Sequence, residues 1–341
     1  MQAPHQISNL VLEGFGVGAI AYAGFFKKIE ESNILEINRL IRVAGVSSGA
    51  IAAMQVALNY SAKEMINEVK NQNFGKFADA PGGFIADILR FFTDEGIYKD
   101  EYLYCYIRKL IKAKTGNEYV TFYDLQMMKN QYQFKDLYVI TTKLFMINNK
   151  PVAQAFIFSH EHTPHARVVD AIRSSASLPL IFPPMRLREE KDGKYSISSD
   201  GDIYVDGGII EAYPLTIFDY SRYLSDAGQS SQKLIYNSET LGLKLNDRTD
   251  IALLENHLFE KKEERIKNSF EYARALLYVL SSGQQNTAFI NSRDRERTIF
   301  IDTLGISSTD FNLTDQQINA LLKSGENAAE QFLKYGHYVN G

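Results

Sequence analysis

Three stretches of the chain hold residue types that do chemistry: Gly45-Val46-Ser47-Ser48-Gly49, Gly14-Phe15-Gly16-Val17-Gly18-Ala19 and Asp206-Gly207-Gly208. In the first, an apolar run from Arg42 meets a serine flanked by glycines, and a small-residue stretch from Ala50 to Leu58 leaves it. Such a pattern makes a nucleophile elbow. The serine is forced onto a tight strand-to-helix bend, Gly45 and Gly49 keep neighbouring side chains from colliding, and the hydroxyl is pushed outward. Ser47 then sits at the positive end of the following helix, where a developing oxyanion is favoured. In the second stretch, glycines let successive backbone N–H groups point into one concavity, which suits a phosphate or the oxyanion of an acyl-transfer intermediate. In the third, the apolar strand Tyr204-Val205 delivers Asp206 into a glycine turn. A carboxylate held against a serine hydroxyl can take its proton during attack, the more so where burial raises its basicity.

These residues need elements to hold them. Apolar runs at Leu10 to Glu13, Arg42 to Gly45, Leu137 to Thr142, Gln154 to Phe158 and Ile203 to Asp206 read as strands. They alternate with helical stretches such as Ala21 to Glu31 and Gly49 to Leu58, the pattern of an α/β layer structure. The stretch Arg188 to Asp202 reads as a polar loop or hairpin. The segment 81–121 is rich in Phe84, Phe91, Phe92, Tyr98, Tyr102 and Tyr104 and reads as helical, either a lid or lipid-facing surface or plain core. After Leu215 the chain reads as helix-rich, with a charged run Glu260 to Arg265 as a solvated face and a last helix from Thr314 to Tyr335, Thr314 and Asp315 suiting its start. The organisation expected is a catalytic domain over 7–216 and a helix-rich extension over 217–341 packed on the same core.

Composition sets outer limits. A chain of 341 residues with 45% hydrophobic and 23% charged residues can bury a substantial core. Its net charge of −4, from 37 basic and 41 acidic residues, gives no bulk attraction to nucleic acid or to anionic membranes. A single cysteine, Cys105, excludes an intrachain disulfide framework and reads as a small buried hydrophobe among Tyr102, Tyr104 and Tyr106. No segment has the length and apolarity of a membrane-spanning helix, and the start Met1-Gln2-Ala3-Pro4-His5 lacks a signal-peptide core. The expected location is cytoplasmic or peripheral to a membrane.

Taken in order, the three motifs resemble those of the patatin-like phospholipases, the bacterial branch most closely. The resemblance extends to Phe158 to Pro164, to Asp170 to Pro179, to Glu239 to Gly242 and to Arg297 to Ile306, and so covers nearly the whole chain. It implies a three-layer α/β fold with a central, mostly parallel sheet flanked by helices and a helix-rich C-terminal part. It implies a lipid acyl hydrolase of phospholipase A or lysophospholipase type, working through a Ser-Asp dyad without histidine. Ser47 would be the nucleophile and Asp206 the proton acceptor. Backbone amides of Gly14, Phe15 and Gly16 would form the oxyanion hole, with Gly45, Gly49, Gly207 and Gly208 supporting. No cofactor or metal is implied; the partners are phospholipid or another acyl-ester lipid and a peripheral membrane surface, while the need for an activating protein, which some bacterial relatives have, is not legible in these residues. This chain departs from the family pattern in the first loop, where Phe15 replaces the middle glycine, Gly18 the basic residue and Ala19 the last glycine. The departure predicts a tilt toward less anionic lipid, testable with Gly18→Lys. It also raises the alternative of a catalytically weak or inactive scaffold that binds lipid or a partner protein.

Other residues point elsewhere. Gly14-x-Gly16-x-x-Ala19 formally satisfies a dinucleotide fingerprint, which asks for an acid at the end of the second strand, where Gly45-Val46-Ser47 stands instead. An ordinary α/β-hydrolase triad would draw on His257 or His337. His160, His162 and His165 lack metal-ligand spacing. Asp200 and Asp202 are alternative acids in a turn setting, Ser174, Ser175 and Ser177 read as capping or packing a helix, and Arg173 as a contact for a substrate phosphate or, the preferred reading, part of a structural salt bridge.

Overall fold

The structure, a computed structural model, describes residues 7–32, 39–78, 102–179, 181–225, 233–246 and 292–335. Among these, nine strands form one mixed sheet: β1 Asn9–Leu12, β2 Arg42–Val46, β3 Asp136–Ile147, β4 Lys150–Phe158, β5 Met185–Glu189, β6 Tyr195–Ile197, β7 Asp202–Asp206, β8 Thr240–Asn246 and β9 Thr298–Asp302. The helices are α1 Ile20–Ser32, α2 Ser48–Ala57, α3 Ala62–Asn71, α4 Gly75–Ala78, α5 Tyr102–Thr115, α6 Phe122–Tyr132, α7 Val168–Ser175, α8 Gly208–Glu211, α9 Ser292–Glu296 and α10 Asp315–Tyr335.

The strand order is β6-β5-β7-β3-β2-β1-β8-β9, with β4 also on β3. The central run from β3 through β2, β1, β8 and β9 is parallel, while β4, β5, β6 and β7 join antiparallel. Both faces of the parallel run are covered, which is why β1 and β2 read as unbroken apolar stretches. Alternation sorts their side chains. Leu10, Leu12, Val43, Leu137 and Val139 enter the large core beneath α1, α2, α5 and α10. Val11, Ala44, Val46, Tyr138 and Ile140 meet Phe218 and Tyr223 on the opposite face. Three helices open with reciprocal side-chain caps: Ser61 with Glu64, Thr121 with Asp124 and Thr314 with Gln317.

Several elements differ from the sequence reading. β3 and β4 are longer than expected and form a hairpin closed at Asn148-Asn149. β8 and β9, in the part read as helix-rich, are strands, β8 beside β1 and β9 beside β8; Leu241, Leu243 and Leu245 alternate into the core with Gly242 and Lys244 between them, the period of a strand. Arg188 to Asp202 forms the β5–β6 hairpin. Cys105 is exposed, not buried, because α5 turns Leu103, Tyr104, Ile107, Leu110 and Ile111 inward and the cysteine falls on the other face. Within 81–121, residues 81–101, with Phe84, Phe91, Phe92 and Tyr98, lie outside the described residues, as do Glu260 to Arg265. The described remainder, α5, packs into the core. No helix among the described residues is long and apolar enough to cross a membrane.

Candidate functional site

At the end of β2 the chain turns through Ser47, whose φ of 52° and ψ of −127° lie in the left-handed region that side chains avoid. Holding a serine there costs of the order of 1–3 kcal/mol, met by the packed surroundings. Those surroundings need the two flanking glycines. A Cβ on Gly45 would collide with the Gly49 carbonyl, and one on Gly49 with that of Glu13. Ser47 is half-buried at the start of α2.

There Ser47 Oγ donates to Asp206 Oδ2 at 2.6 Å, while Asp206 Oδ1 accepts the Gly208 N–H at 2.7 Å. Asp206 is buried, and burial lifts its carboxyl from 3.8 to about 6; the Ser47 hydroxyl, the Gly208 amide and the nearby Arg173 charge pull the other way. The group is therefore ionised at neutral pH yet more basic than an ordinary aspartate.

The meeting of these two residues is a property of β3. β2 runs parallel to it and ends with Val46 opposite Ile140; β7 runs antiparallel and ends with Asp206 opposite Thr141. β4 pairs with β3 from Val139 to Ile147, overlapping both partners, so it takes the other edge. β2 and β7 thus share one edge and abut end to end, their C-termini facing each other at consecutive positions.

The segment after α7 stitches the two ends together. Ser47 N–H donates to Ser175 Oγ at 2.8 Å, and that hydroxyl donates to the Ile140 carbonyl at 2.5 Å. Asp206 N–H donates to the Ser177 carbonyl at 3.0 Å, and Gly207 N–H to that of Ser175 at 3.4 Å. The fully buried Arg173 donates to Ser177 Oγ at 2.6 Å and to the Pro183 carbonyl at 3.2 Å. Ser175 and Ser177, read in the sequence as helix packing, therefore hold the elbow and the acid; no local pattern marks them out.

The glycine loop lies directly against the elbow: a Cβ on Gly14 would sit 2.9 Å from that of Ser47. Of the three amides expected to face an oxyanion, that of Gly14 donates to the Ala212 carbonyl at 3.1 Å and that of Phe15 to Ser48 Oγ at 3.2 Å. The Gly16 amide makes no hydrogen bond among the described residues, which leaves it free for a ligand. Phe15 avoids strain, with φ −146°, because Gly16 takes the positive φ of 48°. A Cβ on Gly16 would collide with the Ser308 carbonyl. Phe15 and Gly18 are coupled: a Cβ on Gly18 would lie 2.7 Å from the Phe15 ring. The ring thus fills the space that a basic side chain at position 18 would need, and Gly18→Lys alone is a steric change rather than a clean test of lipid charge. Beneath the loop, Glu13 is buried with Lys244, Oε1 to Nζ 2.5 Å, and its Oε2 accepts the Leu245 N–H at 2.6 Å.

The remaining candidates lie elsewhere. Asp200 pairs with Arg188, and Asp202 opens β7 paired with Lys143. His162 Nδ1 hydrogen-bonds Ser159 Oγ at 2.8 Å, and no cluster of three potential metal ligands exists among the described residues. His257 and His337 lie outside those residues, and Ser47 reaches a carboxylate with no imidazole between.

Comparison with known proteins agrees with this architecture. A family model described as patatin-like phospholipase matches residues 10–219. The chain is 27% identical to the protein YqhO of Bacillus subtilis over 96% of its length and 98% of that protein's. It is 21% identical to the probable lipid hydrolase 463L of Invertebrate iridescent virus 6, over 63% and 64% of the two chains. Among solved structures, VipD from Legionella pneumophila shares the fold at a TM-score of 0.53 and 17% identity, 98% of this chain matching 67% of that one. ExoU of Pseudomonas aeruginosa, solved with SpcU, matches at 0.51 and 17% identity, 96% of this chain spanning 51% of that one.

Proposed function

Since the chain belongs to the patatin-like phospholipase family, we propose that it hydrolyses carboxylic esters of lipids with Ser47 as nucleophile and Asp206 as the base. The observation that carries this reading is the 2.6 Å hydrogen bond from a strained serine hydroxyl to a buried carboxylate. In the first half-reaction Ser47 Oγ bonds to the ester carbonyl carbon as its proton passes to Asp206. The tetrahedral intermediate then collapses, the C–O bond to the alcohol breaks, and the alcohol takes the proton from Asp206. In the second half, water gives a proton to Asp206 and attacks the acyl-serine; the fatty acid leaves and Ser47 regains its proton.

The unengaged Gly16 amide and the positive start of α2 are assigned to the developing oxyanion. The Phe15 amide joins them when the Ser48 hydroxyl yields it. Substrates of phospholipase A and lysophospholipase type fit this chemistry, since the reacting group is the acyl ester whatever the head group.

Hydrolysis of fluorogenic acyl esters and phospholipid vesicles by wild type, Ser47→Ala and Asp206→Asn tests the reading. Turnover in wild type that is lost in both variants supports it. Wild-type protein without turnover on either substrate leaves the binding scaffold as the function.

A further inference from the structure

The β3–β4 hairpin runs well past the site. Beyond Ile140, the residue opposite the end of β2, β3 continues for seven residues, and its pairing with β7 ends at Leu144 opposite Ile203. The tip therefore projects about 20 Å beyond the elbow, at ~3.3 Å per residue, from the sheet end where β1 and β2 terminate. It closes on Asn148 and Asn149, both with positive φ (50° and 62°), the two-residue turn that matches strand twist and keeps a hairpin rigid.

The tip carries an unusual surface for a turn. Met146 is 63% exposed and Ile147 50%, two of the most exposed large apolar residues among those described. Leu144, Phe145 and Val152 beside them are only partly covered, and Pro151 and Ala153 are exposed. From Thr141 to Phe158 there is no acidic residue, and Lys143 is paired with Asp202 of β7. Lys150 is exposed on the turn. In a chain with a net charge of −4, this is a local apolar tip with one exposed lysine, Lys150, beside it. Apolar side chains flanked by lysine suit the boundary between acyl chains and anionic head groups. A second copy of this same tip would set lysine against lysine.

We propose that this hairpin tip is a docking element that seats Met146 and Ile147 in the head-group region of an anionic phospholipid bilayer, bringing the Ser47 site to the membrane. The proposal rests on the lipid-hydrolase reading for its purpose, but binding can be measured apart from turnover.

The chain has no tryptophan, so one introduced indole reports its own surroundings. Met146→Trp places it at the tip; Tyr132→Trp places a control at the exposed end of α6, ahead of β3 and remote from the tip. With vesicles of phosphatidylcholine and phosphatidylglycerol, the Met146→Trp emission is expected to shift to the blue and the control to stay put. Omitting phosphatidylglycerol or adding Lys150→Glu should weaken the shift. The double variant Met146→Asp/Ile147→Asp should lose about tenfold in vesicle binding and in hydrolysis of vesicle lipid, yet cleave a soluble butyrate ester at the wild-type rate. An unchanged Met146→Trp spectrum in the presence of bound vesicles overturns the proposal. So does loss of a dimer in the Asp double variant, which would make a second copy the occupant. If wild type cleaves neither ester, the catalytic reading fails, and the fluorescence shift still decides the docking.

Discussion

Replacing Asp206 by Asn should cost activity and gain stability, and the gain can be sized. Asn is nearly isosteric: its oxygen can accept the Gly208 N–H, and its amide can donate to Ser47 Oγ, so both contacts survive in form. The charge does not. Burial moves the carboxyl from 3.8 to about 6, which at 1.36 kcal/mol per pH unit makes ionisation in the fold cost about 3 kcal/mol relative to the unfolded chain. Because the folded value lies above the unfolded one, this cost is absent below pH ~4, grows between about 4 and 6, and is complete above. Asp206→Asn should therefore exceed wild type by up to about 3 kcal/mol in urea denaturation at pH 8, and the advantage should vanish near pH 4. Turnover should fall by about 10²–10⁴, since no base remains to take the Ser47 proton. For the wild type, kcat/KM should rise with pH through about 6 as the carboxylate forms. A variant no more stable than wild type at pH 8 would refute the claim that the acid is held ionised against desolvation.

Other substitutions probe the supporting geometry. Ser47→Gly should be more stable than Ser47→Ala by about 1 kcal/mol in denaturant melts, since both lose the hydroxyl and only alanine keeps the positive-φ strain. Gly18→Lys alone should lower the melting temperature through its clash with the Phe15 ring, and Phe15→Gly/Gly18→Lys should recover most of the loss; equal melting temperatures would deny the coupling. Lys244→Met should destabilise by about 3–5 kcal/mol by leaving the Glu13 carboxylate buried without its cation. Adding Glu13→Gln should return much of that in the same denaturation assay.

Much of the site was legible in the sequence because it is enforced locally. A serine between glycines at the end of an apolar run announces the elbow, since the steric demand at Gly45 and Gly49 is set within a few residues of Ser47. The same holds for the Thr314 cap and for the apolar runs that form β1, β2 and β3. Cys105 was misread because its place on α5 depends on which face packs, and β8 was passed over although Leu241, Leu243 and Leu245 alternate as the buried face of a strand does.

The sequence by itself determined the chemistry available: a hydroxyl on a strained turn, a carboxylate at a strand end and a loop of glycine amides. Tertiary structure alone decided that they meet. Ser47 and Asp206 stand 159 residues apart, and they face each other only because β2 and β7 end at adjacent positions on one edge of β3, with Ser175 and Ser177 tying the ends. Strand register is a cooperative outcome of the whole sheet and its two cores, so no window of residues around either group contains it.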